Sequence, residues 1–354
     1  MTRVVILYNE PTLPLGHPDA DSEHEIVYTV DETEKVLLAS GFEVERLGAH
    51  VDPGRIITGL RELDPDVVFN LFEGVPEMSA TEAFAAGLLE WMGLPYTGCP
   101  HQCLVAARDK PLTKRLLQSA RLPTPKFAIV ERLPAKRNRL GWPVIVKPAC
   151  EDASVGVAQT SVVTTDDEYQ ARVEFVIEEF GPPALVEQYI PGREFNIALY
   201  ETPELTVLPP YEYRFTKNNR WGIITYDSKW NTESKDFEAT PPDYRPKIDP
   251  AVRKKLDRIA KKAYRLLNCR DLARVDMRVT PEGKPYVIEV NPNPDFSPVG
   301  GLADCLETAN LTLQVVAAQM VKNAELKTYP GAPHGLPAIR REQCNADLLA
   351  FIKR

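Results

Sequence analysis

No apolar run in this chain of 354 residues approaches the ~20 that cross a bilayer as a helix, so the sequence offers no membrane span. Met1-Thr2-Arg3 leads straight into the strand-like Val4-Val5-Ile6-Leu7-Tyr8 and not into a secretory leader, and a cytoplasmic location is expected. Six cysteines, at 99, 103, 150, 269, 305 and 344, include no Cys-x-x-Cys pair. Reduced thiols are expected, in place of a disulfide framework or a zinc site. Cys99 and Cys103 flank His101, but nothing nearby in sequence completes a tetrahedral set, and a structural role is expected for them. Internal repeats and low-complexity tracts are lacking. No tight glycine fingerprint follows the first strand, so a dinucleotide cofactor is not supported. The net charge of −8 argues against a general nucleic-acid or membrane-surface binder. What remains is ordinary for a folded protein: 44% hydrophobic and 26% charged residues, enough chain for two or three packed lobes.

The first hundred residues alternate strand and helix. Strands are expected at 4–8, 43–47 and 67–71, and helices at 25–40, 55–63 and 81–92, the last stopped by Gly93 before Pro95. This α/β pattern is doubly wound and places a ligand crevice at the carboxyl ends of the strands. A helix is expected over 109–120, a strand ending in Lys147 over 142–148, and then a small-residue loop, Asp152-Ala153-Ser154-Val155-Gly156-Val157. A strand over 184–190 runs into Pro191-Gly192-Arg193-Glu194. Residues 214–242 are polar, aromatic and long for a connection, which suits a functional lid. A basic amphipathic helix is expected over 250–268, and the tail after Lys327 is expected to pack loosely.

Near the end of the chain, Arg274-Val275-Asp276-Met277-Arg278-Val279 is answered by Tyr286-Val287-Ile288-Glu289-Val290-Asn291 across the turn Pro281-Glu282-Gly283-Lys284. Folding this ribbon about the Glu282/Gly283 bond sets Asp276 opposite Glu289 and Arg274 opposite Asn291 on one face. Val275, Met277, Ile288 and Val290 then point to the core. Like charges directly opposite one another are destabilising. Two carboxylates and an amide oxygen in this arrangement make sense around a hard cation, and Mg²⁺ suits best because it takes oxygen ligands and keeps positions open for phosphate. The competing reading is a solvated face with incidental charges. Lys110 and Lys147, at helix or strand ends, and the small loop 152–156, whose backbone N–H groups can approach phosphate oxygens, add a second and third set pointing to a nucleotide.

Taken in order, these segments resemble the ATP-grasp superfamily and, within it, the D-alanine–D-alanine ligase family, of which the chain looks like a divergent member. The likeness covers roughly residues 1 to 320 and rests on Ser22-Glu23-His24-Glu25, Gly87-Leu88-Leu89-Glu90, Leu94-Pro95-Tyr96-Thr97-Gly98 and Asp109-Lys110 with Lys114. It continues through Val144-Ile145-Val146-Lys147-Pro148, Ser154-Val155-Gly156, Leu185-Val186-Glu187, Gly192-Arg193-Glu194-Phe195, Tyr226-Asp227-Ser228-Lys229, Arg274-Val275-Asp276 and Glu289-Val290-Asn291.

The resemblance implies an ATP-grasp fold of α+β lobes behind an N-terminal doubly wound domain. The expected division is 1–105, then a central lobe over 106–186, a C-terminal lobe with lid and metal site over 187–327, and a tail over 328–354. It implies that Lys110 and Lys147 bind the α- and β-phosphates beside the Ser154 loop. Glu187, Gln188, Tyr189 and Ile190 would hold the adenine edge, and Glu194 the ribose. Lys229 would reach the γ-phosphate, and Asp276, Glu289 and Asn291 would carry two Mg²⁺ ions, with Mn²⁺ as a substitute. Arg274 would stabilise charge at the reacting carbonyl, and Glu23 would face the amine of the first substrate. The implied reaction makes an acyl phosphate from a carboxylate and ATP, which an amine then attacks. Amino acids or peptides would be the substrates, and the chain would form a homodimer.

The amino-acid half departs from the family pattern. Asn291-Pro292-Asn293-Pro294-Asp295-Phe296-Ser297 stands where the family has Asn-Thr-Ser-Pro-Gly-Met-Thr. Gly300-Gly301 aligns with the family's serine-leucine pair, Glu73 with its histidine, Ala153 with its first loop serine, and Trp230 with its lid tyrosine. Either Asp295 places a negative charge where a carboxylate tail should sit, which selects another kind of amine, or it turns away and backbone amides at Gly300-Gly301 bind the carboxylate. A ligase for other amino acids or peptides, a non-catalytic ATP sensor and a phosphotransferase stand as the alternatives.

Overall fold

The computed structural model of the protein describes residues 1–11, 20–75, 78–201, 204–297 and 301–324, with the side chains of 20–25 outside that description. The first unit has a parallel sheet in the order β2 (Glu43–Ala49), β1 (Arg3–Asn9), β3 (Val67–Leu71). Val4 through Leu7 are buried, as expected of a strand covered on both faces. Helices α1 (Ala20–Ala39), α2 (Pro53–Leu63) and α3 (Thr81–Met92) complete the doubly wound pattern. α1 starts earlier than its apolar periodicity suggests. In α2, Asp52 caps the first turn by accepting from the Gly54 N–H, with Pro53 at the position where a missing N–H costs least.

The sequence predicts one helix after this unit and the structure has two. α4 (His101–Arg108) was not expected, because Gly98 and Pro100 in front of it read as loop. Asp109 ends α4 and caps α5 (Lys110–Ser119), accepting from the Leu112 N–H at 2.8 Å. The expected boundary at 105/106 falls inside α4, whose Cys103, Leu104 and Ala107 share a core with both the first unit and the late hairpin.

A second sheet has the antiparallel order β4 (Phe127–Val130), β7 (Ala184–Gln188), β5 (Val144–Pro148), β6 (Val162–Val163). It packs α6 (Asp166–Phe180) over its own core of Val144, Val146, Val173, Val176 and Val186. The third sheet runs β11 (Pro242–Asp243), β10 (Tyr211–Tyr213), β8 (Arg193–Glu201), β12 (Leu272–Val279), β13 (Pro285–Pro292), with β9 (Leu205–Val207) against β8. The lid segment between β10 and β11 contains α7 (Tyr226–Trp230) and α8 (Lys235–Glu238). α9 (Pro250–Leu266) packs on the third sheet, α10 (Gly301–Thr308) follows β13, and α11 (Leu313–Asn323) packs on α1. Among the described residues no helix is long and apolar enough to cross a membrane. The tail lies outside the described residues, as does Cys344.

The hairpin pairs Arg274 with Asn291 and Asp276 with Glu289 as expected, but it turns about Glu282 itself, with Val279 opposite Pro285, and not about the Glu282/Gly283 bond. Between Asp276 and Met277 the register shifts by one, so Met277 pairs with Val287. This bulge corrects one expectation. Val287 is fully buried and takes the core position, while Ile288 is half-buried and lines the cavity described below. Bulges re-aim side chains beside functional sites, and here the extra residue turns only the turn-proximal end of β13 and leaves the acidic pair intact.

The cysteines also gather more closely than their spacing suggests. Cys99, Cys103 and Cys269 bring their sulfurs within 4.8 Å of one another in the core, with Cys103 Sγ 3.5 Å from Cys269 Sγ. They lie along a seam joining the first unit to the third sheet. Gly98 N–H donates to Asp271 at 2.7 Å, Cys99 N–H to Asn293 at 2.7 Å, and Arg270 to the carbonyls of Gly98 and Tyr96 at 2.7 and 2.8 Å.

Candidate active site

One cavity of about 1090 Å³ is bordered by the second sheet, the hairpin, the lid and the start of α3. It brings together every expected site residue whose side chain is described. Glu23 lies on α1 where side chains are not described, and Gly300 lies outside the described residues.

The acidic pair sits on the cavity floor with cations already against it. Arg274 grips Asp276 with two nitrogens, at 2.8 and 3.0 Å, and the Asn291 amide donates to the same carboxylate at 2.8 Å. Burial disfavours the charge of Arg274, but Asp276 more than offsets this and holds the guanidinium well above its ordinary value. Lys110 reaches Glu289 at 2.8 Å and Asp152 at 2.8 Å, and also donates to the Glu151 carbonyl. Burial pushes Glu289 up, but Lys110 and Lys147 outweigh it and hold the carboxyl down at about 2. The two facing carboxylates each have a cation within hydrogen-bond reach, which offsets their mutual repulsion.

A second charged set lies deeper. The Glu187 carboxylate is 2% exposed and is held between Lys147, at 2.8 Å, and Lys114. Burial disfavours its charge, and the two lysines overcome that and keep it below the ordinary carboxylate range. Lys114 also donates to Thr124 Oγ1 at 3.2 Å and to the Ile288 carbonyl at 3.3 Å, which joins α5 to the bulge of β13. Lys114 was noticed only as part of the resemblance. Its role was readable from spacing, since residues four apart share one helix face and Lys110 is already at the site.

Gln188, Tyr189 and Ile190 line the cavity beside Glu187. The N–H groups of Gln188 and Tyr189 are taken by the carbonyls of Lys126 and Pro143, at 2.8 and 3.1 Å. Glu194 pairs with Arg278 at 2.8 Å, and burial still raises its carboxyl above the usual range against that pairing. Arg278 escaped the sequence reading although it continues the alternation of Arg274 and Asp276. It is 5% exposed and bonds the carbonyls of Ile190, Gly192 and Gly222 at 2.6, 3.1 and 2.7 Å. It thereby ties the segment before β8 and the lid to β12.

The lid lies against the small-residue loop. Tyr226 N–H donates to the Val157 carbonyl at 2.9 Å, and Trp230 Nε1 to the Ala153 carbonyl at 3.1 Å. Tyr189 Oη donates to the Trp221 carbonyl. In the loop, Ala153 and Ser154 both adopt positive φ, 52° and 63°. They close tight turns in which the Val155 N–H donates to the Asp152 carbonyl at 2.9 Å and the Val157 N–H to that of Ser154 at 3.0 Å, which holds the loop compact beside the cavity. Lys229 faces the same cavity, where burial, then repulsion from Arg274, lowers it below its ordinary value.

At the other end of the cavity, Glu73, Asp295 and Gly301 are lining residues. Asp295 is exposed, and its oxygens accept from Ser297 N–H and Oγ at 2.8 and 2.9 Å within its own turn. Gly301 packs so close to Tyr211 that a Cβ there would lie 2.9 Å from the phenol oxygen. Glu82, missed from sequence, lines this end and accepts from Asn293 Nδ2 at 3.2 Å.

A cavity with this charge pattern, set between two antiparallel sheets, defines an ATP-grasp enzyme of the kind that forms C–N bonds. Residues 116–322 match the family model described as the D-ala D-ala ligase C-terminus, and the chain belongs to the D-alanine–D-alanine ligase family. It is 29% identical to the D-alanine–D-alanine ligase of Desulforudis audaxviator over 82% of this chain and 90% of that protein. To the ligase of Cupriavidus metallidurans it is 32% identical over 66% of this chain and 70% of that one. A Sinorhizobium fredii protein described as uncharacterized protein y4sG is 34% identical over 72% of this chain and 75% of its own length. The fold is that of the crystal structure of D-alanine–D-alanine ligase from Bacillus anthracis complexed with ATP, with TM-score 0.71, 20% identity, and 92% and 97% of the two chains covered. It is equally that of VanG D-Ala:D-Ser ligase from Enterococcus faecalis, with TM-score 0.72, 18% identity, and 92% and 99% covered.

Proposed function

We propose that this chain uses ATP to join the carboxylate of one amino acid to the amine of another, working on D-alanine or a related small amino acid or peptide. The observation that carries the reading is the facing pair Asp276 and Glu289, each met by a cation at 2.8 Å, in one cavity with Lys147 and Lys229. The proposed site fits Mg²⁺, since its donors are hard oxygens and the positive charge now supplied by Lys110 and Arg274 is what such an ion would supply. Asp276, Glu289 and Asn291 would hold two ions, with Mn²⁺ as a substitute. Bound there, the metal would supply Lewis-acid charge for phosphoryl transfer.

In this reading Lys110 and Lys147 bind the α- and β-phosphates beside the loop at Ser154, and Lys229 on the lid reaches the γ-phosphate. Glu187, expected at the adenine edge, is buried between Lys114 and Lys147 and so positions Lys147 instead, while residues 188–190 border the adenine and Glu194 faces the ribose. A substrate carboxylate oxygen bonds to the γ-phosphorus as the bond to ADP breaks. The amine then bonds to the carbonyl carbon of the acyl phosphate, loses a proton and expels phosphate. Arg274 offsets charge on the tetrahedral oxygen, the kind of preorganised contact that dominates such catalysis. The lid, anchored through Trp230 and Tyr226, excludes water that would hydrolyse the acyl phosphate. Glu23 would receive the first amine, and Glu73, Asp295 and Gly300-Gly301 would border the second substrate. The expected boundaries at 105/106 and 186/187 cut α4 and β7, so in this reading the substrate side is the unit built on β1–β3 and the two jaws are the second and third sheets. The enzyme would work in the cytoplasm as a homodimer.

The test is formation of ADP and phosphate with single amino acids, pairs and dipeptides. Amine-dependent release of both supports the ligase. ADP without free phosphate would make the protein a phosphotransferase, and no turnover with any pair would contradict the reading.

A further inference from the structure

A second concavity, of about 290 Å³, shares no lining residue with the first. Five cations line it: Arg121 at the end of α5, Lys255, Arg258 and Lys262 on α9, and Lys284 in the hairpin turn. No carboxylate lines it, and Leu122, Ile259 and Pro285 form a buried apolar floor. Among the described residues none of the five cations stands within 4.0 Å of a carboxylate. The nearby acids are engaged elsewhere: Asp257 with Arg253 at 2.6 Å, and Glu282 with Thr280. Lys255 donates to the Gly283 carbonyl at 3.2 Å, and Lys284 lies 5.0 Å from the centre of the Tyr286 ring, so two ammonium groups are fixed at the rim.

This concentration is unusual for a chain whose net charge is −8. α9 alone carries seven basic residues against one acid. Like charges converging on one hollow raise its potential, and concave shape with a low-dielectric floor concentrates the field. We propose that this hollow binds a small multivalent anion of the polyphosphate or phosphorylated-metabolite class. Its size lies at the lower end for small-molecule pockets, about 300 Å³, which suits two or three phosphate groups and not a bare halide. The apolar floor accommodates the carbon part of such a ligand.

The floor is wired to the reacting end of the hairpin. Pro123 accepts from the Val287 N–H at 2.8 Å, Thr124 Oγ1 donates to the Val287 carbonyl at 2.9 Å, and Lys114 bonds both Thr124 and Ile288. One residue further on is Glu289. These contacts join the floor of the hollow to β13, the strand that carries Glu289.

The experiment is calorimetric titration of the full chain with inorganic tripolyphosphate in metal-free buffer. Three proteins are compared: the parent, Arg258→Glu/Lys262→Glu, and Lys110→Met/Lys229→Met. The parent is expected to show two classes of site. Reversing two exposed charges should weaken one class at least about tenfold, the scale of a lost charged hydrogen bond, while the cavity variant keeps that class. Basal ligase turnover and circular dichroism of Arg258→Glu/Lys262→Glu should match the parent. Equal stoichiometry and affinity in the parent and in Arg258→Glu/Lys262→Glu would overturn the proposal. So would co-sedimentation with phosphatidylserine vesicles in the absence of any groove-dependent tripolyphosphate binding, which would assign the patch to a lipid surface. The readout is binding and not ligation, so it stands or falls apart from the catalytic reading.

Discussion

Lys110 Nζ lies 2.8 Å from Glu289 Oε1, so the first turn of α5 is pinned to β13, the strand that carries one half of the acidic pair. Asp109, one residue earlier, caps that helix and fixes where the lysine emerges. The pair is a contact between charge sets 179 residues apart in sequence, the distance from Lys110 to Glu289.

Replacing Lys110 by Met leaves Glu289 without its nearest cation and, in the proposed reading, removes a phosphate contact. Turnover should fall about 10²–10³-fold, the scale for losing one preorganised donor, with a raised KM for ATP. Steady-state kinetics over a range of ATP concentrations measures both effects.

Glu187 is 2% exposed between Lys114 and Lys147. Glu187→Ala strands two buried ammonium groups and should cost about 3–5 kcal/mol of folding stability. Glu187→Gln keeps the volume and should cost less. Urea unfolding of the two variants gives the comparison, and equal stability of Glu187→Ala and the parent would contradict the buried triad.

Trp230→Phe removes one lid contact, the indole N–H to the Ala153 carbonyl at 3.1 Å. A neutral hydrogen bond contributes about 0.5–1.5 kcal/mol, so the KM for ATP should rise about 2- to 10-fold with kcat changed less. An unchanged KM would separate the lid from nucleotide binding.

Burial pushes the Glu82 carboxyl up to about 8, against the hydrogen bond from Asn293 and with repulsion from Glu73 added. The unfolded chain releases this proton near 4.5, so between there and about 8 the folded state binds more protons than the unfolded one. Stability through this group therefore falls as pH rises across that window and levels off above it. Glu82→Gln should flatten the fall when unfolding free energy is measured from pH 5 to 8.

Gly192 has φ of +125°, and a Cβ added there would lie 2.1 Å from the Val279 carbonyl oxygen. Gly192→Ala combines backbone strain with overpacking and should cost about 2–4 kcal/mol. Thermal unfolding measures it, and a neutral effect would show that the loop before β8 rearranges freely.

The acidic ribbon was legible because strand alternation and a polar turn bring 276 opposite 289 by counting, although the turn is centred on Glu282 and the extra residue Ile288 makes up the difference. The bulge was not, because inserting Ile288 depends on Lys114 and Thr124 from α5 and the segment after it, which no local pattern reveals. The same holds for Arg278, whose partners Ile190, Gly192 and Gly222 lie far off in sequence. Helix α4 was hidden by Gly98 and Pro100, which mark a turn locally while the following residues find their helix through packing against α3 and β13. The three-cysteine contact needed the fold to bring Cys269 beside α4.

The most direct measurement is ATP turnover by Asp276→Asn and Glu289→Gln, with circular dichroism and thermal unfolding as controls for folding. An Mg²⁺-binding pair predicts folded proteins whose amine-dependent ADP and phosphate release falls at least about 10²-fold. Folded variants that turn over ATP at the parent rate would contradict it.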